Sequence, residues 1–87
     1  MSFYVYVLKS VSDGKFYTGC TNDLRKRFNQ HKKGQVISTM KRLPLELIYY
    51  EMCQNQEDAY NRENYLKTGM GKRYIKNRLK GFLSLTG

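Results

Sequence analysis

The segment from Tyr17 to His31 constrains the fold most, because it combines the features of a strand end, a glycine turn and a capped helix. Phe16–Thr18 has the aromatic and β-branched residues that are typical of strands. Gly19 permits either a close approach of another group to the backbone or a positive φ. Thr21 or Asn22 has a side chain suited to cap a helix. We therefore predict a strand, a tight turn and a helix in succession.

The predicted helix runs from about Asn22 to Lys33 and ends near Gly34, with Asp23 favouring its positively charged N-terminal end. Positions i, i+3, i+4 and i+7 share one helix face. That face consists of Leu24, Arg27, Phe28 and His31. Burying a guanidinium requires a partner or an incoming anion, so an arginine and a histidine are unusual on a face meant only for a core. We interpret this face as the edge of an active site.

Two strands are predicted before this helix. Phe3–Leu8 is rich in aromatic and β-branched residues and is predicted to be the first strand. The turn signal at 12–14 indicates that Lys15–Gly19 runs back beside it as the second strand of a hairpin. A two- or four-residue loop places Tyr6 and Tyr17 on the same face of the sheet, whereas a three-residue loop places them on opposite faces. Only the first arrangement creates a shared tyrosine site.

A third strand, Leu45–Met52, is predicted after Pro44, which loses no ladder hydrogen bond at a strand start. Simple alternation puts three of its residues on one face, and these are Leu45, Leu47 and Tyr49. The alternate residues are Glu46, Ile48 and Tyr50. We assign Tyr49 and Tyr50 to sheet packing.

The remaining elements are predicted to be helical. One helix runs from Asn55 to about Thr68, a break follows at 69–71, and a basic helix spans Lys72–Lys80, with fraying expected at 84–87. The first of these helices has one face formed by Ala59, Arg62, Glu63 and Leu66. A carboxylate at Glu63, inside an otherwise core-facing stripe, is the second anomaly of the sequence.

The charge balance indicates a polyanionic partner. The chain has 87 residues with 16 Lys+Arg against 7 Asp+Glu, a formal net charge of +9. This length suits one small domain, 1–87, and the charge favours nucleic acid over an acidic membrane surface; an inert basic surface is the alternative. The sequence contains neither a run that could span a bilayer nor a leader, and a cytoplasmic location is expected.

Two groups of residues are candidates for nucleic-acid contacts. The segment 35–43 contains Ser38, Thr39, Lys41 and Arg42, each of which either contacts phosphates or belongs to a solvated basic loop. The last helix contributes Lys72, Arg73 and Lys76. The two cysteines, Cys20 and Cys53, form no metal pattern with the single histidine and are expected to be reduced thiols, Cys53 serving only in packing.

The polar residues in these unusual positions suit metal-assisted phosphodiester hydrolysis. They are Arg27 and His31 on one predicted helix and Glu63 on another. A carboxylate can bind Mg²⁺, which prefers oxygen ligands and often keeps several waters. An arginine can bind a phosphate through its planar guanidinium, and a tyrosine or histidine can take a proton from attacking water. A metal polarises the phosphodiester and stabilises the leaving oxygen.

The order of these residues resembles that of the GIY-YIG nuclease superfamily, in particular its small stand-alone bacterial proteins. Tyr4-Val5-Tyr6 is similar to the first motif and Tyr17-Thr18-Gly19 to the second. The arginine that follows the second motif in that family falls on Arg27, the His or Tyr four residues later falls on His31, and the metal-binding glutamate falls on Glu63. The resemblance extends from about residue 3 to residue 79.

The resemblance implies an α/β fold with a three-stranded antiparallel sheet flanked by helices. It implies that Glu63 holds a single divalent cation, Mg²⁺ or Mn²⁺, and that Arg27 binds the scissile phosphate. Tyr6 or Tyr17 is then expected to orient or deprotonate water with help from His31. The chain also resembles the N-terminal nuclease domain of the bacterial excision-repair endonuclease. Two residues depart from the family pattern, since Tyr4 stands where the first motif has glycine and Cys20 stands where these repair enzymes have lysine.

Two functions follow from these observations. The first is a metal-dependent endonuclease acting on DNA, with DNA repair or processing as its setting. The second is a non-catalytic nucleic-acid-binding module on the same scaffold, and RNA is the weaker alternative to DNA in both. Structural roles compete at individual positions, because Tyr6 and Tyr17 also suit strand packing, and Arg27 and Glu63 could form a buried ion pair.

Overall fold

The computed structural model describes residues 1–86, with side chains through residue 85, and contains three strands and four helices within that range. The strands are β1 (Phe3–Ser10), β2 (Phe16–Thr21) and β3 (Leu45–Cys53). The helices are α1 (Leu24–Lys32), α2 (Gln56–Leu66), α3 (Gly69–Arg78) and α4 (Lys80–Thr86). No helix in this part of the chain has the length and apolar character needed to cross a membrane.

The strands form one antiparallel sheet in the order β2-β1-β3, which confirms the predicted fold class. The backbone N–H of Ser10 donates to the carbonyl of Lys15 across a four-residue loop that contains Gly14 at φ +72°. In this register Tyr6 lies opposite Gly19 and Leu8 lies opposite Tyr17. Because side chains alternate along a strand, Tyr6 and Tyr17 share one face, as the shared-site arrangement requires.

The two faces of the sheet are covered by different elements. On the first, which we call the α2–α3 face, an apolar cluster forms from Val5, Val7, Ala59, Leu66 and Ile75. On the second, the α1 face, Tyr6, Leu8 and Leu45 pack with residues of α1 and of the segment 35–44. Strand β1 lies between both layers and contributes alternate residues to each.

A bulge in β3 overturns the predicted alternation of that strand. Leu47 pairs with Leu8, and Tyr49, rather than Ile48, pairs with the preceding residue Val7. An extra residue on one strand reverses the faces beyond it. As a result Tyr49 packs on the α2–α3 face, whereas Leu45 and Leu47 contact the α1 face.

The start of α1 also differs from the prediction. The N-cap is Asp23, whose carboxylate accepts the backbone N–H of Lys26 at 3.1 Å, and not Thr21 or Asn22. The Thr21 hydroxyl instead accepts the N–H of Asp23 and shapes the turn before the helix. The predicted end is confirmed, because Gly34 has φ +73° directly after the C-cap residue.

The predicted break at 69–71 is wrong, because these residues form the first turn of α3. Thr68 is the N-cap, and its hydroxyl accepts the backbone N–H of Gly71 at 3.1 Å. A Cβ on Gly71 would collide with the backbone of Tyr65 and Leu66, so glycine here permits close contact between α2 and α3. The chain also continues as helix α4 where fraying was predicted, although Gly87 lies outside the described residues.

Candidate active site

The centre of the candidate site is a buried hydrogen-bonded chain of three side chains. Tyr6 extends from β1 across Gly19, where a Cβ would collide with the Tyr6 hydroxyl. The same hydroxyl lies 2.9 Å from Nε2 of His31, and Nδ1 of His31 lies 2.7 Å from the hydroxyl of Thr39. His31 and Thr39 are fully buried, and Tyr6 is 1% exposed. Each polar group in this chain therefore has a partner, which is what burial requires.

The imidazole of His31 is neutral at physiological pH. Burial disfavours the charged ring, and the positive charge of Arg27 adds to this effect, so the pKa of His31 is lowered to about 4. A neutral imidazole has one donor and one acceptor nitrogen. One of its two hydroxyl partners consequently donates to the ring and the other accepts from it.

Tyr6 keeps its proton in the same conditions. Burial raises the pKa of Tyr6 to about 12, and hydrogen bonding to the guanidinium of Arg27 opposes this rise. The negative charge of Glu63 contributes a further, smaller increase to the pKa of Tyr6. Arg27 and Glu63, which are far apart in the sequence, thus both lie close enough to act on one phenol.

Tyr17 completes an aromatic triangle with Tyr6 and His31. Its ring centroid lies 5.2 Å from that of His31 and 6.4 Å from that of Tyr6. Unlike Tyr6, Tyr17 is partly exposed. Of the two tyrosines, Tyr17 is therefore the one that solvent can reach.

Arg27 lies at the edge of this cluster, one helical turn before His31. Its guanidinium donates to the side-chain oxygen of Gln30 at 3.2 Å and lines an open groove of about 430 Å³ that includes Cys20 and Lys26. Burial, with a smaller contribution from Glu63, raises the pKa of the Cys20 thiol, which keeps it protonated. The groove gives an anion access to the cationic end of Arg27.

Glu63 approaches the cluster from α2. Its carboxylate forms an ion pair at 3.0 Å with Lys67, one turn further along the helix, and its side chain is 18% exposed. Arg62 binds a different carboxylate, that of Glu51, at 2.8 Å. Within residues 1–86, no salt bridge joins Arg27 to Glu63, and the structural alternative of a buried pair between them is not realised.

The donor set at Glu63 fits a hydrated divalent cation held by one carboxylate. In the described part of the chain, no three His, Cys, Asp or Glu side chains are grouped as a metal site. Mg²⁺ commonly binds through one or two carboxylates and keeps several waters. The half-buried carboxylate of Glu63 can supply one such oxygen ligand, and its charge acts on the Tyr6 phenol.

The predicted basic residues are divided between two locations. Arg42, Lys72 and Lys76 line one depression of about 630 Å³ together with Lys15. Arg42 is half-buried and donates to the carbonyl of Phe16 at 3.4 Å. Its Nε makes no hydrogen bond among the described residues but lies 3.8 Å from the carboxylate of Asp13, which also lines the depression. The other two predicted residues, Lys41 and Arg73, are exposed and do not line this depression.

Sequence reasoning missed the positioning residues of the site. Thr39 was considered for phosphate contact, but it is buried and holds His31; Ser38 beside it is exposed. Lys67 was not considered, although an i,i+4 spacing from Glu63 is a recognisable ion-pair signal. The spacing from Arg27 to Gln30 offered a similar signal for their hydrogen bond.

A family model described as the GIY-YIG catalytic domain matches residues 2–80. The chain therefore belongs to the GIY-YIG family, a nuclease superfamily.

Several relatives of similar size carry the name UPF0213 protein. One from Clostridium perfringens is 43% identical over 65 residues, covering 74% of this chain and 69% of the relative. One from Pediococcus acidilactici is 40% identical over 81 residues, covering 86% and 82%. The solution NMR structure of a UPF0213 protein from Bacillus halodurans matches with a TM-score of 0.57 and 30% identity, covering 88% of this chain and 84% of that chain.

Proposed function

We propose that this protein is a divalent-metal-dependent endonuclease that hydrolyses phosphodiester bonds in DNA, and that residues 1–87 act as one GIY-YIG domain. The observation that supports this most directly is the Tyr6 hydroxyl, held 2.9 Å from a neutral His31 and influenced by both Arg27 and Glu63. A packing role alone does not require a buried phenol and imidazole to be placed beside a guanidinium and a carboxylate.

In the proposed reaction Arg27 binds the scissile phosphate. Its position beside an open groove gives the phosphate access, and its guanidinium can hold two phosphate oxygens at once. Negative charge increases on the phosphate oxygens during the reaction, so a fixed cation there stabilises the transition state more than the ground state.

The hydrogen bond between Tyr6 and His31 supplies a route for a proton. When Tyr6 donates to Nε2, the Nδ1–H of His31 donates to Thr39, and the ring nitrogen facing Tyr6 is free to accept the phenol proton. The resulting tyrosinate would accept a proton from the attacking water only with substrate bound, because in the free protein the transfer from a phenol of pKa about 12 to an imidazole of pKa about 4 is strongly unfavourable. Binding of a phosphate to Arg27 offsets the positive charge that helps to lower the pKa of His31, which makes this transfer less unfavourable.

We assign the partly exposed Tyr17 to orienting that water, because Tyr6 is 1% exposed and solvent reaches Tyr17 more easily. Glu63 holds the single Mg²⁺ or Mn²⁺, and the bound cation would supply polarisation of the phosphodiester and stabilisation of the leaving oxygen. Neutralising the charge of Glu63 also removes its contribution to the raised pKa of Tyr6.

The depression formed by Lys15, Arg42, Lys72 and Lys76 is proposed to hold backbone phosphates of the same substrate. Its cations are close enough to line one surface, and the buried Nε of Arg42, 3.8 Å from Asp13, makes no hydrogen bond within the described chain. Lys41 and Arg73 then contribute long-range attraction rather than this local contact. DNA repair or processing in the cytoplasm is the setting we propose for this activity.

A second candidate function is a nucleic-acid-binding module without catalysis. The observation that favours it is the ion pair between Glu63 and Lys67, which already provides the carboxylate with a cation. The basic depression serves binding equally well in both proposals.

A cleavage assay separates the two. Branched, flapped, nicked and plain DNA, and matching RNA, are incubated with Mg²⁺, Mn²⁺ or EDTA. The endonuclease proposal expects cleavage of DNA with either metal and none with EDTA. Binding without cleavage under all three conditions supports the module instead.

Glu63→Gln tests the metal-binding role, because it keeps the side-chain shape and removes the charge. We expect cleavage to be abolished and nucleic-acid binding in EDTA to be retained. Stability without metal should fall by less than about 1 kcal/mol, since the ion pair that is lost includes the 53% exposed Lys67. Thermal melts and anisotropy titrations measure both, with Lys67→Gln as the matched control for the ion pair. Persistent cleavage would remove Glu63 from the catalytic site.

A further inference from the structure

An aromatic groove lies beside the first two turns of α1. It has a volume of about 510 Å³, and three of its lining residues, Tyr4, Phe28 and Tyr50, carry aromatic rings. Tyr4 and Tyr50 contact edge to face with ring centroids 6.2 Å apart, and Tyr50 is 55% exposed. The volume is within the range of small-ligand sites, roughly 300–1,000 Å³.

The bulge in β3 gives the two successive tyrosines different environments. Tyr49 packs against the apolar cluster of the α2–α3 face. Tyr50 lies on the opposite face and is directly cross-strand from Tyr6. The sheet-packing role predicted for both tyrosines therefore applies to Tyr49 and leaves the exposed ring of Tyr50 unexplained.

The aromatic groove and the groove beside Arg27 meet at the start of α1. Asn22 and Asp23 line both of them, so a bound strand could pass from one to the other around the helix N-terminus. Tyr50 and Tyr6 are opposite each other in the sheet, where paired Cα atoms are about 4.5–5.5 Å apart. The aromatic groove thus adjoins the strand position opposite Tyr6 and is continuous, through Asn22 and Asp23, with the groove beside Arg27.

The chemistry of the groove favours a nucleobase as its occupant. The protein has a net charge of +9, and Arg25 lies at the same groove, so a polyanion is attracted to this surface. Aromatic side chains bind bases by stacking, which is tolerant of sequence because every base has a π-face. Bases inside a duplex are already stacked on their neighbours, whereas unpaired bases have free faces.

We propose that the aromatic groove of Tyr4, Phe28 and Tyr50 stacks an unpaired base of the strand whose phosphate is bound at Arg27. This inference rests on the proposed nucleic-acid substrate and adds a preference for single-stranded, flapped or branched segments. The groove contributes affinity for unpaired nucleotides, and the basic depression contributes affinity for any backbone.

Binding in EDTA tests the inference independently of cleavage. A short fluorescent oligothymidylate and a duplex of the same length are titrated by anisotropy with the wild type, Tyr50→Ala and Tyr50→Phe. We expect Tyr50→Ala to lose about tenfold in affinity for the single strand and little for the duplex. Tyr50→Phe keeps the ring and should retain wild-type affinity, as should the control Met70→Ala on the exposed surface of α3.

Three results would overturn the inference. Unchanged single-strand affinity in Tyr50→Ala excludes stacking on this ring, and an equal loss for duplex excludes selection of unpaired bases. A wild-type dimer that becomes monomeric on Tyr50→Ala in sedimentation would assign the groove to a second copy of the chain. Selective loss of single-strand binding together with absence of cleavage by the wild type supports the groove while removing the endonuclease proposal.

Discussion

The two faces of the sheet use the same strand for different purposes. Val5 and Val7 of β1 point into the apolar cluster of the α2–α3 face, while Tyr6 between them points into a hydrogen-bonded chain on the α1 face. The first face is stabilised by removing apolar surface from water, which has no directional requirement. The second contains polar groups that tolerate burial only because their partners are placed at hydrogen-bond distance.

This difference indicates how stability and chemistry are separated in a small domain. Glu63 is the exception, since it is on α2, a helix of the apolar layer, and yet its charge acts on Tyr6 of the other face. Truncations on the α2–α3 face should therefore change the free energy of unfolding, whereas loss of the partly exposed charge of Arg27 beside Tyr6 should mainly change the proposed turnover.

The largest effect is expected for Leu66→Ala on the α2–α3 face. Leu66 is 1% exposed, and truncating a buried leucine leaves a cavity that costs about 2–5 kcal/mol. Urea unfolding measures the change. Met70, which is 67% exposed, provides the control, because Met70→Ala should stay within about 0.5 kcal/mol of the wild type. Turnover per folded molecule should be unchanged, and a specific loss of activity in Leu66→Ala would contradict the separation.

Arg27→Ala on the α1 face should have the opposite profile. Loss of an electrostatic stabiliser of the transition state is expected to reduce kcat by roughly 10²-fold or more. The melting temperature should remain close to that of the wild type, because the side chain is partly exposed and forms no salt bridge in residues 1–86. Arg27→Lys should restore activity only in part, since the planar guanidinium is lost. Full activity in Arg27→Ala would remove this residue from the site.

A smaller effect is expected in the pH dependence of stability. The pKa of His31 is about 4 in the folded chain and near 6.5 when unfolded, so the unfolded chain binds a proton first as the pH falls. The stabilisation due to neutral His31 is complete above pH 6.5 and is lost as the pH falls towards 4. Thermal melts of the wild type and His31→Gln at pH 7 and pH 4.5 should show a shallower decline in the variant. Equal declines would mean that His31 does not titrate as proposed.

The sequence predicted the elements whose patterns are local. Strand alternation, glycine signals and helix periodicity located the three strands, α1 and α2. The sequence left the length of the hairpin loop open, and the observed four-residue loop is one of the two lengths that place Tyr6 and Tyr17 on the same face. The bulge at Ile48 and the start of α3 at Gly69 were not predicted. Both depend on contacts with other elements, since Gly71 is helical where it packs on the backbone of α2.

The candidate site was predictable only where a residue type was unusual for its position. Arg27, His31 and Glu63 were conspicuous on otherwise apolar helix faces, and the structure places all three around Tyr6. Thr39 had no such signal, because the segment 35–44 has no periodicity and its hydrogen bond to His31 depends on the folded chain. The sequence assigned Tyr49 and Tyr50 alike to sheet packing, and only the bulge in β3 shows that Tyr49 is packed while Tyr50 is exposed.

The passage of the Tyr6 ring over Gly19 has a consequence for how this sequence can change. Any larger residue at position 19 would need the space now taken by the phenol hydroxyl, and a smaller residue at position 6 would release that space but remove the partner of His31. Position 19 therefore cannot accept a side chain unless position 6 changes as well. Among descendants of this chain, any lineage that keeps the tyrosine should also keep the glycine.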